Sequence, residues 1–197
     1  IDIPEPPLNE VDWGAGQRSS LGIGSLVPPG SALDSWVWCL IAELTGQVGM
    51  RQQLHHEGGK RDMLSLLLAP TAVSEEAAIP CILLCADEGV AFVFYFDHSG
   101  SPAVAKLHLP YVCADERFTC LCATLADDPT LGGKVLALVD IWTRRGEAVH
   151  DCAGSTRALW LQQIRDESAA LSANQLLALK VLAGIGRFEV AIRGFPR

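Results

Sequence analysis

The sequence predicts an α+β domain: a twisted, mainly antiparallel sheet with flanking helices, preceded by an extended N-terminal arm. Three observations carry this. Hydrophobic residues make up 49% and charged residues 19% of the chain, enough apolar material for a core and too much for a disordered protein. From about residue 79 to 150, short runs rich in β-branched and aromatic residues alternate with turn chemistry. On both sides of that region, apolar residues recur at helical spacing.

Taken in order, residues 1–30 hold Pro4, Pro6, Pro7, Pro28 and Pro29 with five glycines, and read as an extended arm laid over a surface or as a flexible tail. Residues 31–197 read as one domain: 31–70 mainly helical, 79–150 strand-rich, 155–197 helices and a last strand. Ser31 to Asp34 is a helix-opening cap, followed by Leu33, Trp36, Val37, Leu40, Ile41, Leu44 and Val48 on one stripe. Gly46 and Gly49 weaken the last turns, and Gly58-Gly59 is expected to end any continuation. Trp36 lies on the stripe and packs inward; Trp38 is placed at an interface. Residues 61–69 leave helix and strand open.

Strands are expected at 81–85, 90–97, 103–109, 118–125 and 135–142, with a tight turn at Arg144-Arg145-Gly146 leading into 148–150. Ser155 is a candidate N-cap for a helix over 156–165. Ser172 with Gln175 forms a second capping box opening 173–183, and Gly184 and Gly186 stop that helix. Residues 187–193 read as the last strand.

The net charge of −8 argues against a protein whose main task is coating nucleic acid, because such binding draws its affinity from phosphate neutralisation. A local basic pocket remains open at Arg144, Arg145 and Arg157, with a solvated face as the alternative. No apolar run reaches the roughly 18 residues needed to span a bilayer. The seven cysteines fall mostly in strand contexts without a C-x-x-C pair, and read as buried free thiols rather than as zinc ligands. That usage fits an intracellular, reducing compartment.

Familiar catalytic motifs are absent: no G-x-S-x-G elbow, no phosphate-cradling G-x-x-x-x-G-K-[ST] loop, and only Gly22-Ile23-Gly24 where a dinucleotide fingerprint would need more. His55-His56 beside Glu57 diverge on a helix and are read as surface residues. Cys152 with His150 is available as a thiol–base pair by chance alone. Asp140 ends an apolar strand, where an inward acid needs a partner or metal; a solvent-facing acid is the alternative.

The order of these features resembles a known family. Asp140, Trp142, Arg144-Arg145-Gly146, Asp151-Cys152, Arg157 and Trp160-Leu161 are similar to a segment of snurportin and of mRNA-capping guanylyltransferases. Cys85-Ala86-Asp87-Glu88-Gly89 before a long strand resembles the lysine-x-aspartate-glycine motif of those enzymes, and 118–128, ending at Asp128, resembles a strand that ends in acids. The resemblance spans about 110 residues of short patterns. It implies a nucleotidyltransferase-like fold in which Cys85, Asp87, Gly89, Asp128 and Asp140 form a degenerate motif set. Cys85 or Ala86 stands where the nucleophilic lysine would be, so no catalysis and no cofactor are expected.

The resulting expectation is a non-catalytic domain in an RNA-handling or ribonucleoprotein assembly, contacting an RNA 5′ end or a partner protein. Arg144, Arg145 and Arg157 would meet phosphate, and Trp142 or Trp160 would stack a base. The alternative is a scaffold subunit whose arm and Trp13 dock onto a neighbouring protein. A cysteine-dependent hydrolase ranks third.

Overall fold

The computed structural model describes residues 17–71, 78–86, 89–109, 116–130 and 132–190. Ser31 caps α1 (Ala32–Leu44): its hydroxyl accepts from the Asp34 amide at 3.1 Å, satisfying one of the free N–H groups of the first turn. Leu33, Val37, Leu40, Ile41 and Leu44 are buried, as their spacing predicts. The helix ends at Thr45, and Gly46 turns the chain with φ +74. Val48 falls beyond it, exposed in a short 3-10 turn over Val48–Gln53.

Two expectations fail in this region. Gly58-Gly59 opens a helix instead of ending one: α2 runs Glu57–Leu68 and buries Gly59, Met63, Leu64, Leu67 and Leu68. Gly59 is needed because a Cβ there would lie 2.0 Å from the Gln53 carbonyl oxygen. Trp38 is a core residue, not an interface one. It is 1% exposed, meets Phe94 edge-on at 4.9 Å, and donates from its indole to Asp34 at 3.1 Å. Asp34, itself buried, also takes the Lys60 ammonium at 2.6 Å, so α1 and α2 are joined by a mostly desolvated ion pair.

The strands are β1 (Ser25–Leu26), β2 (Ile79–Cys85), β3 (Val90–Phe96), β4 (Pro102–His108), β5 (Thr119–Asp127), β6 (Lys134–Arg144), β7 (Glu147–Ala148) and β8 (Ile185–Val190). They form one sheet in the order β1-β4-β3-β2-β5-β6-β7, with β8 pairing β6. All pairs are antiparallel except β6–β8. This is the expected fold class.

Helices α3 (Gly154–Ala169) and α4 (Ala173–Ala183) cover one face of the sheet, while α1 and α2 cover the other. Cys81, Leu83 and Cys85 point to the first face and Ile82 and Leu84 to the second, all buried. A strand covered on both sides must be apolar throughout, which explains the continuous run from Cys81 to Cys85. The capping box of Ser172 and Gln175 forms with both bonds present, and Gly184 closes α4 at φ +74. α3 begins earlier than expected, at Gly154, with Ala153 as N-cap in place of Ser155.

Residues 17–30 are more than an arm laid over a surface. Arg18 bridges Ser25 in a tight hairpin, and Leu21, Ile23 and Val27 are each no more than 3% exposed. Its turn reaches the far side of the curved sheet: a Cβ on Gly184 would lie 3.0 Å from the Ile23 methyl, and one on Gly22 would lie 3.8 Å from Lys134. Pro4, Pro6, Pro7 and Trp13 lie outside the described residues.

Candidate nucleotide-contacting pocket

The β6–β7 hairpin closes through Arg145 at φ +52 and Gly146 at φ +84. Two successive positive φ values define the mirror-image turn that matches strand twist, so the arginine-glycine pair is a turn signal as well as a charge signal. Beside this turn is a pocket of about 250 Å³, lined by Arg144, Arg145, Glu147, Val149 and Trp160. The Arg144 guanidinium lies over the Trp160 ring, 5.5 Å from its centroid. Trp160, from α3, is half-buried and packs its inner side against the core of that face.

Glu116 holds this arrangement and was not foreseen. The carboxylate is 1% exposed and accepts from Arg144 Nε at 3.4 Å and Nη2 at 3.1 Å, and from Arg145 Nη2 at 3.3 Å. The Thr119 hydroxyl donates to it at 3.0 Å while accepting from the Arg145 amide at 3.1 Å. Gln163 Oε1 takes the remaining Arg144 terminal nitrogen at 3.2 Å. The pair of arginines is thus oriented from beneath by one buried acid, and Arg145 keeps 55% of its side chain exposed. In sequence, Glu116 is one acid in a polar turn, 28 residues from Arg144, and no spacing rule links them.

Of the residues expected to contact RNA, Arg144, Arg145 and Trp160 meet at the pocket. Arg157 and Trp142 face elsewhere. Arg157 is 8% exposed, pairs with Asp140 at 2.8 Å, and donates to the carbonyl oxygens of His150 and Cys152. Its guanidinium ties the start of α3 to β6, which corrects its assignment as a phosphate contact. The same pair answers the question of Asp140: this acid faces a buried cation, and it also accepts from the Ile141 amide at 2.8 Å. Trp142 packs toward α2, its indole donating to Cys122 Sγ at 3.0 Å and approaching the Leu67 carbonyl oxygen at 3.4 Å. Its ring also lies 5.4 Å from His150.

The positions expected to form a degenerate motif set are spread over the sheet. Cys85 ends β2 opposite Thr119, and Gly89 turns into β3 at φ +78. Asp128 lies past the other end of β5, where its carboxylate accepts from the Thr130 amide at 3.0 Å and hydroxyl at 2.8 Å. Asp140 sits opposite Cys122 in mid-sheet. Asp87 is outside the described residues. Cys85 is disulfide-bonded, not a free thiol as expected, with its partner outside the described residues.

Cys81, Cys120 and Cys122 do behave as buried free thiols. Burial pushes Cys81 up to about 12 and raises Cys120 and Cys122 as well, the last with the neighbouring Cys120 and Asp140 adding to it. Such thiols stay protonated and inert. No hydrogen bond joins Cys152 to His150 among the described residues; His150 instead faces Asp151 at 3.5 Å. No group of three or more His, Cys, Asp or Glu among the described residues could hold a metal ion, and none of their helices is long and apolar enough to cross a membrane.

The pocket therefore offers an aromatic ring, an oriented guanidinium pair and an outer carboxylate, Glu147, in one open depression. No family profile and no curated protein matches this chain.

Proposed function

We propose that this chain is a non-catalytic domain, like snurportin or a capping enzyme that has lost its nucleophile, which contacts RNA within an RNA-handling or ribonucleoprotein assembly. The observation that carries the reading is the meeting of Trp160, Arg144 and Arg145 at one pocket. A flat ring beside guanidinium planes is the arrangement on which single-stranded bases stack, with arginine donors placed for the adjoining phosphate. On the expected resemblance, Cys85 or Ala86 takes the place of the phosphoamide-forming lysine; neither side chain can supply that amine, and the Cys85 sulfur is in a disulfide, which favours a binding role over covalent transfer.

The test is fluorescence anisotropy with labelled single-stranded RNA across a salt titration. Wild type binds. Arg145→Gly, which suits the left-handed turn position, weakens binding and flattens the salt dependence by about one phosphate contact. Equal anisotropy for free and protein-mixed RNA at low salt would rule the reading out.

A second reading, a scaffold subunit, is favoured by one feature: α4 exposes Leu177 at 60%, Val181 at 73% and Leu182 at 52%, an apolar row on a surface helix. It becomes the stronger reading if RNA does not bind.

A further inference from the structure

We propose that the Trp160 pocket receives a base bearing a single phosphodiester charge, an internal nucleotide of a single strand, and not a polyphosphate 5′ end. The inference rests on the RNA reading above and narrows its ligand. It follows from where the charges sit. The two guanidiniums of Arg144 and Arg145 are offset by two carboxylates, buried Glu116 beneath them and exposed Glu147 at the rim, so the pocket has no formal positive surplus.

Donor geometry points the same way. Arg144 directs three of its five N–H donors to protein acceptors, Nε and Nη2 to Glu116 and Nη1 to Gln163, and its side chain is only 13% exposed. Of the two lining arginines, Arg145 is the exposed one, and one of its terminal nitrogens is also held by Glu116. One outward arginine matches one phosphate. A run of phosphates needs several unopposed donors or a metal ion to bridge them, and the rim carboxylate of Glu147 would repel such a ligand. The neighbouring cation Arg157 is matched by Asp140 and adds nothing. The chain's net charge of −8 gives no long-range attraction for a polyanion.

Size agrees with charge. A volume of about 250 Å³ is below the range of about 300–1,000 Å³ usual for drug-sized ligand sites, and suits one base ring against Trp160 and Val149 with its phosphate outside.

The experiment compares one short RNA sequence carrying either a 5′-hydroxyl or a 5′-triphosphate, by anisotropy, with wild type and Glu147→Lys. Wild type is expected to bind both within about threefold, with a shallow salt slope of about −0.7, the value for one phosphate on a single strand. Glu147→Lys, an exposed substitution that leaves the core untouched, gives the pocket a surplus and shifts preference at least tenfold toward the triphosphate. Tenfold or greater triphosphate preference in wild type, or an unchanged ratio in Glu147→Lys, overturns the inference while leaving the RNA reading standing. Binding of neither RNA overturns both.

Discussion

Glu116 is the side chain on which the pocket depends most. Its carboxylate is 1% exposed and serves Arg144, Arg145 and Thr119 together. Replacing it by alanine leaves the Arg144 guanidinium, in a side chain only 13% exposed, without its main partner. Breaking a buried pair from one side costs about 3 kcal/mol, so Glu116→Ala should lower the urea midpoint by a corresponding amount. Arg145→Gly should change stability by no more than about 0.5 kcal/mol, since that residue is exposed and glycine fits its backbone. The cysteines supply a pH test. Cys81 has a folded value of about 12 against an ordinary 9.0, so the folded state keeps its proton where the unfolded chain loses it. Its contribution is fully present below pH 9.0 and is lost as pH rises toward about 12. Chemical denaturation should therefore show falling stability across that window, and Cys81→Ala should flatten the fall. Alkylation of the native protein at neutral pH should spare Cys81, Cys120 and Cys122, which are buried, and label half-buried Cys39 and Cys152 first.

At the scale of elements, what could be read from sequence depended on whether the signal was local. Ser31, Ser172 with Gln175, and Gly184 act on their own backbone neighbours, and α4 was legible to the residue from them. The strands beyond residue 79 were found to within a few residues because turn glycines and apolar runs are also local, while β1 lay inside the expected arm. The start of α2 was illegible for the opposite reason. Gly58-Gly59 looks like a terminator, and only the approach of the Gln53 carbonyl shows why glycine is required inside a helix. This gives a prediction with an inverted sign. Alanine usually favours a helix interior over glycine by about 1 kcal/mol. Here Gly59→Ala should destabilise, lowering the thermal midpoint, because its Cβ would sit 2.0 Å from a backbone oxygen. β6 also hid its geometry. Its pairing with β5 shifts register between Cys120 and Leu121 and again between Cys122 and Ala123, leaving Val139 and Trp142 as extra residues on either side of Asp140. Bulges of this kind redirect side chains, and here the fold turns Trp142, expected to stack a base, toward α2.

For the molecule as a whole, the sheet is a middle layer with a separate core on each face, and both cores draw on the same strands. Composition was sufficient to predict ample core, while the continuous apolar run of β2 is explained by the cover on both faces. The pocket was half legible: Trp160 and the Arg144-Arg145 turn were visible as residues, while their union required Glu116 from a distant turn. The N-terminal hairpin was the largest global surprise. Proline and glycine content suggested a peripheral segment, yet Ile23 is 1% exposed and touches the end of α4. Ile23→Ala should cost about 3 kcal/mol in equilibrium unfolding, as expected for a buried aliphatic residue and not for a surface arm.

That hairpin also bears on the order of assembly. Gly22 and Ile23 precede every helix described, and the surface they rest on includes Gly184, at the end of α4. During synthesis their apolar side chains emerge long before their receiving site exists. Contacts this distant in sequence form late, because the intervening loop must first be closed. This hairpin is then late to settle, and a growing polypeptide that stops short of α4 leaves Ile23 partly uncovered, an apolar turn open to chaperones or to self-association.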